Sequence, residues 1–239
     1  MKNATCPGAE PKRAMMEIES AQAALKLDEA GSVTGVDTRD LSWDEQYKLI
    51  SSTVIPRPIA LVSTDGPAGR NAAPFSFFNA VSIGPPMVMF CIGPTKSEKL
   101  GQEKDTLRNV RETGEFVVQL VDDANKERMN LCAPEYGADV DEMERAGFTT
   151  APSVRVKAPR IIDCPVQFEC VVTDIHTLGK TPYHMVVGEI VYAHYRSGIV
   201  NQRLHVDMLA MNPVGRLSNP GMYSRITDHF QMLPPVSAE

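Results

Sequence analysis

The sequence predicts a mainly β fold with inserted helices, built as an antiparallel barrel that is closed or partly closed. Three observations lead there. From Ser52 onward, short β-branched and aromatic runs bounded by glycine and proline recur. Helical patterns fall between these runs without regular β-α alternation. The second half holds two long alternating segments, "PVQFECVVTDIHTLG" and "YHMVVGEIVYAHYR", which read as one hairpin.

In chain order, residues 1–40 read as an N-terminal extension and residues 41–239 as the domain proper. The extension carries one helical pattern, "AMMEIESAQAALKLDEA", followed by "AGSVTGVD" as a linker. "SWDEQYKL" is expected to be helical, with Trp43 partly buried. "TVIPRPIALVST", the turn Asp65-Gly66-Pro67-Ala68-Gly69, "NAAPFSFFNAVS" and "PMVMFCIG" then supply strands. If "PFSFFN" is one continuous strand, Phe75 and Phe77 share a face while Ser76 and Phe78 share the other. "KDTLRNVRETG" is a helix, because Leu107, Val110 and Arg111 fall at helical spacing, Asp105 or Thr106 can cap its start, and Gly114 can close it. The strand "EFVVQLV" follows, then two short helical patterns, "DANKERMNLCA" and "DVDEMERAGF", whose charges are expected to face water.

Bulk properties exclude several function classes. At 239 residues the chain can bury a full core as one main domain. The net charge of -6 argues against a nucleic-acid binder, which needs clustered cations to release counterions. No apolar run approaches the roughly 18 residues of a membrane span, and none follows Lys2 to make a secretory signal, so the expectation is a cytoplasmic protein. The odd cysteine set, Cys6, Cys91, Cys132, Cys164 and Cys170, has no C-x-x-C pair and fits reduced thiols. His176, His184, His194, His205 and His229 lack metal-ligand spacing, so no metal is expected. Dinucleotide, Walker, H-E-x-x-H and G-x-S-x-G motifs are all missing from the sequence.

Clusters of polar and aromatic residues at strand ends remain. In "PFSFFN" the rings could wall a flat heteroaromatic ligand and the hydroxyl and amide could meet its edge; the same residues also read as core and turn formers. Lys104, Asp105 and Thr106 stand where a helix begins, so a point charge, a hydroxyl and the helix dipole could hold a phosphate; they also read as a plain cap. Arg57, between Pro56 and Pro58, projects from a stiff extended segment.

In order, "PRPIALVST", "NAAPFSFFNAVSIGPP", "KDTLRNV", "EFVVQLV", "CPVQFEC", "HMVVGEI" and "NPVGRLSNPGMYSR" resemble the flavin reductase-like family of FMN-binding split-barrel proteins, over residues 45–226. That family includes flavoredoxin and the reductase components of two-component monooxygenases. The resemblance implies a split β-barrel, a homodimer with noncovalent FMN near the subunit interface, and NADH or NADPH as electron donor. A monooxygenase or another acceptor would be the partner. Thr53, Arg57, Ser76, Phe77, Phe78, Asn79, Lys104, Asp105 and Thr106 would line the cofactor, joined by Arg216 and Tyr223. His184 would aid proton transfer or orientation, because hydride chemistry belongs to the cofactor and requires no side-chain acid or base. Ser218-Asn219-Pro220-Gly221 departs from the family's paired glycines, leaving the role of Tyr223 open, and the extension is longer than the family core requires. Two alternatives stay open at this point: a non-enzymatic FMN electron carrier, and a split-barrel module for another planar ligand such as haem or a pyridoxal compound.

Overall fold

The computed structural model describes residues 25–27, 31, 34–95, 103–137 and 139–233. It divides into two compact units, Met1–Ile55 with Leu217–Gly221, and Pro56–Arg216 with Met222–Glu239.

In the first unit, β1 (Leu25–Leu27) pairs antiparallel with β2 (Thr34–Val36). The helix expected over residues 14–30 is therefore wrong at 25–27, and the expected linker contains a strand; residues 14–24 and Cys6 lie outside the described residues. Antiparallel pairing with Thr34–Val36 overrides the local helical pattern at Leu25–Leu27. Helix α1 (Trp43–Thr53) starts at a capping box, in which the Ser42 side chain accepts from Glu45 N and the Glu45 side chain accepts from Ser42 N. Trp43 is half-buried and stacks on Tyr47, with ring centroids 5.5 Å apart.

The second unit contains, in order, β3 (Arg57–Pro58), β4 (Ala60–Gly66), β5 (Gly69–Phe75), β6 (Phe78–Ile83), β7 (Pro86–Ile92), α2 (Asp105–Thr113) and β8 (Glu115–Leu120). Next come α3 (Lys126–Leu131), α4 (Glu142–Arg145), β9 (Thr150–Ala151), β10 (Arg160–Ile161), β11 (Val166–Leu178) and β12 (Tyr183–Tyr195). α5 (Met208–Met211), β13 (Val214–Arg216) and β14 (Tyr223–Arg225) complete it. The main sheet runs β5-β4-β8-β11-β12-β7-β6, antiparallel at every step, and its hydrogen-bond ladder stays open between β5 and β6. A smaller sheet, β14-β13-β3, sets Arg216 opposite Arg57. No helix among the described residues is long and apolar enough to cross a membrane.

Alternation decides the long hairpin. β11 and β12 pair from Val166 opposite Tyr195 to Leu178 opposite Tyr183, with irregularities after Glu169 and Val172. One face of the sheet buries Phe75, Phe78, Phe90 and Phe116 together with Leu107 and Val110 of α2. Ring centroids lie 5.0 Å apart for Phe75 and Phe90 and 5.2 Å apart for Phe90 and Phe116, and each such burial contributes about 1.5–3 kcal/mol. The other face packs Leu61, Met129, Met143, Phe148 and Ile161 beneath α3 and α4.

"NAAPFSFFNAVS" is two strands, not one. β5 ends at Phe75 and β6 begins at Phe78, so both rings enter the core while Ser76 and Phe77 form the corner between them. The expected alternation fails because two corner residues restore Phe78 to the face of Phe75. α2 ends as expected, with Gly114 left-handed at φ 68° and its N–H donating to Val110 O. Its start differs: the N-cap residue is Lys104, whose side chain makes no capping bond, and Asp105 and Thr106 are already helical.

Residues 152–160 cover a buried polar row. Glu169 of β11, fully buried, accepts from Val154 N at 2.8 Å and Arg155 N at 2.6 Å, and lies 2.6 Å from His194 Nε2. Burial pushes its carboxyl up, yet the bonds from Val154, His194 and Arg155 outweigh that and hold it below the usual range. Cys132, Cys164 and Cys170 are buried free thiols, and burial pushes Cys132 up to about 12.

Candidate functional site

A cleft of about 650 Å³ opens where α2 begins, with Asn71, Lys104, Thr106, Glu135, Tyr136 and Glu142 among its lining. β5 delivers Asn71, the extended turn into α2 delivers Lys104, and α4 delivers Glu142 from the far side. The Lys104 side chain, at the N-cap, makes no capping bond to the first-turn N–H groups of α2, and the helix dipole adds positive potential there. Lys104 Nζ lies 3.6 Å from Glu135 Oε1, and Asp105 pairs with Arg108 at 3.1 Å. The cleft is thus a mixed-charge site, not a purely basic one.

Its floor is a hydrogen-bonded chain. The Thr106 hydroxyl donates to Asn71 Oδ1 at 2.6 Å, and Asn71 Nδ2 donates to both Glu142 carboxylate oxygens at 3.3 Å. Ala72 N adds a bond of 3.1 Å to Glu142 Oε2. Burial raises the Glu142 carboxyl above its ordinary value, opposed by the Ala72 N–H, while Asp105 and Asp141 push the same way as burial. Glu142 is 5% exposed, so the expectation that the charges of "DVDEMERAGF" face water fails at this residue. The expected exposed face is turned inward because Met143, Ala146 and Phe148 pack into the core beside it.

A second group lies around β3. Arg57 is buried, with its Nε 3.5 Å from Ser76 Oγ and its guanidinium 5.8 Å from the Phe77 ring centre. Phe77 in turn lies 6.0 Å from Tyr183. Opposite Arg57, Arg216 places its guanidinium 4.6 Å from the Tyr223 ring centre. Ile59, Val121, Met211, Val214 and Ile226 line an apolar hollow of about 270 Å³ beside this pair of strands.

His184 stands on β12 opposite Ile92. Its Nδ1 lies 3.3 Å from Arg111 Nη2 and 3.2 Å from Thr177 Oγ1. The Arg111 guanidinium can only donate, so Nδ1 accepts and the proton of the neutral ring falls on Nε2. Burial and the Arg111 charge lower the pKa of His184, against a smaller opposing effect of Glu103. Glu103 pairs with Arg111 and also lines the cleft, so His184 is joined to the cleft through that pair.

The structure therefore gathers Lys104, Asp105 and Thr106 in the cleft, and Arg57, Ser76, Phe77, Arg216 and Tyr223 around β3 and the β5–β6 corner. Phe78 is a core ring at 8% exposure, and Asn79 is exposed, its Oδ1 accepting from Ala80 N. The Thr106 hydroxyl is turned inward to Asn71. Thr53 ends α1 in the first unit, and its hydroxyl donates to Leu49 O at 2.8 Å. Sequence reasoning missed Asn71, Arg111, Glu135 and Glu142. The available signal was slight: Asn71 directly precedes the apolar run Ala72–Phe75, and Glu142 precedes Met143, Ala146 and Phe148. No group of three His, Cys, Asp or Glu among the described residues could hold a metal ion.

Residues 51–212 match the model of the flavin reductase like domain. Among solved structures, the 2-nitrobenzoate 2-nitroreductase NbaA of Pseudomonas fluorescens is 35% identical, with a TM-score of 0.76 over 86% of this chain and 98% of that one. Nitrilotriacetate monooxygenase component B of Bacillus cereus is 26% identical, with a TM-score of 0.78 over 84% and 99%. A split-barrel protein from Shewanella frigidimarina, 19% identical with a TM-score of 0.72 over 88% and 99%, shares the fold.

Proposed function

Because the chain belongs to the flavin reductase-like family, we propose that it is an oxidoreductase that binds FMN noncovalently and takes electrons from NADH or NADPH. The observation that carries this reading is the cleft at the start of α2, where Lys104 and the first-turn N–H groups suit a phosphate, a short step along β5 from the ring-bearing corner at Ser76 and Phe77. Bound FMN would supply hydride transfer at its ring system. Lys104 and the N–H groups of α2 would hold the phosphate, while Arg57, Ser76 and Phe77 would border the ring. Thr106 acts from behind, through Asn71. His184, neutral with its proton on Nε2, would orient the reactants or pass a proton without being essential. A homodimer, with a monooxygenase or other acceptor as partner, belongs to the same reading.

An absorbance spectrum of the purified protein with added FMN, followed by anaerobic NADH and NADPH titration, tests it. Flavin bands that bleach with either nucleotide are expected; a colourless protein that ignores FMN overturns the reading. Steady-state NAD(P)H consumption with excess flavin separates a reductase from a carrier.

Reduction of a small aryl acid by the same site is a second reading. Arg57 and Arg216, set opposite each other beside Phe77 and Tyr223, offer cations and rings together, and a 35% identical relative is named for 2-nitrobenzoate. Anaerobic NAD(P)H oxidation that 2-nitrobenzoate fails to stimulate would reject it.

A further inference from the structure

We propose that Glu142 is a positioning residue for the anion end of the cleft and works there as its neutral acid, so that each phosphate monoester bound draws a proton onto this carboxyl. The proposal rests on the phosphate reading of Lys104 given above. Glu142 is nearly fully buried and lines the same cleft as Lys104 and Thr106. Its side-chain partners are neutral N–H groups, Asn71 Nδ2 and Ala72 N, and no lysine or arginine among the described residues forms an ion pair with it.

The charges facing it are already matched. At the N-cap of α4, Asp141 lies 3.5 Å from Arg70 of β5; on α2, Asp105 pairs with Arg108; just before α2, Glu103 pairs with Arg111; on the 132–137 segment, Glu135 pairs with Lys104. In that segment Tyr136 lies under Arg145, and the Cys132 thiol donates to Glu142 O. An ionised Glu142 is therefore a surplus negative charge in a cavity that would receive a dianion, and like charges in one site cannot both stay ionised without cost. Taking up a proton on Oε1 removes that repulsion, while Oε2 goes on accepting from Asn71 Nδ2 and Ala72 N and so keeps the positioning. Because Thr106 donates to Asn71 Oδ1, Asn71 must aim its Nδ2 at Glu142; the carboxyl thereby fixes the amide, and the amide fixes the second residue of α2.

The test is calorimetric titration of the full-length protein, freed of flavin, with FMN at pH 6.5–8.5 in two buffers of different ionisation enthalpy, with riboflavin as the phosphate-free comparison. Above about pH 7, at least one unit over the second phosphate pKa of about 6, under about a tenth of the ligand carries that proton, so its own release is small. The expected result is an uptake reaching about half a proton or more per FMN, a Kd that weakens by up to about tenfold per pH unit above the carboxyl midpoint, and no uptake with riboflavin. Glu142→Gln should lose the uptake, flatten the pH profile and bind FMN more tightly than the parent at pH 8.5. FMN binding without proton uptake overturns this inference alone, as does the same uptake in Glu142→Gln. Failure to bind FMN at any pH overturns the flavin reading instead, and equal affinity for FMN and riboflavin overturns the phosphate placement. The wild-type titration decides the matter even if the variant does not fold.

Discussion

Glu142 and Glu169 are both buried carboxylates that accept backbone N–H bonds, yet they are built in opposite ways. Glu169 has two short N–H donors, an imidazole at 2.6 Å and Arg160 Nε at 4.0 Å, and residues 152–160 close over it. Glu142 has longer bonds to neutral donors and borders an open cleft. The first arrangement keeps the anion and its partners where they are; the second leaves a carboxyl whose charge can change when a ligand arrives. Burial is common to both, so it is the donor set that decides whether a buried acid staples the fold or serves a site.

The comparison breaks most visibly on truncation. Glu169→Ala should cost about 3–5 kcal/mol in urea or thermal unfolding, because Val154 N, Arg155 N and His194 lose their shared acceptor. A loss under about 1 kcal/mol would remove its role as a staple.

The next effect is on affinity. Lys104→Ala should weaken FMN binding about ten- to hundredfold, the loss of one charge-assisted contact, read by fluorescence titration. An unchanged Kd would leave Lys104 a structural residue, the N-cap of α2 and a partner of Glu135.

The pH dependence of stability should separate the two acids by sign. The carboxyl of Glu169 is lowered in the folded state, so its stabilisation is present above the unfolded value of about 4.3 and is lost as pH falls through the folded value. Glu142 is raised, so its contribution is complete below about 4.3 and is lost as pH rises through the folded value. Glu169→Gln should therefore flatten the acid limb and Glu142→Gln the limb above it, in unfolding curves taken across pH 3–8. Identical profiles for the two variants would erase the distinction.

Smaller effects sharpen the cleft itself. Thr106→Val should cost about 1 kcal/mol of stability through the lost bond to Asn71, with a lesser change in FMN affinity than Lys104→Ala. If affinity falls as far as with Lys104→Ala, the hydroxyl touches the ligand directly. His184→Ala should slow flavin reduction without abolishing it; stopped-flow traces with no reduction in a variant that keeps its FMN would make the imidazole essential.

The hairpin β11–β12 was legible because thirteen-residue alternations leave one register, and α2 was legible from Leu107, Val110 and the closing Gly114. The corner at Ser76 and Phe77 was not, since two residues that leave the sheet carry no local mark when flanked by phenylalanines. Strand β1 was hidden for a similar reason: Leu25–Leu27 sit among good helix formers in "ALKLDEA", and pairing with Thr34–Val36 makes these three residues extended. In the site, the cations and rings were legible by residue type. The acids behind them were not, because Glu142 and Glu135 become part of the cleft only when segments far apart in sequence from β5 fold against it.

Asn109 ties the far side of α2 to the β4–β5 turn. It is fully buried, its Oδ1 accepts from Ala68 N, and its Nδ2 donates to Thr64 Oγ1 and Gly69 O. Helix and turn are thus riveted together, and a ligand that steadies Lys104 pulls on the same rivet. Amide exchange at Ala68, on the opposite end of the helix from the cleft, should slow when the cleft fills, making that turn a remote gauge of occupancy.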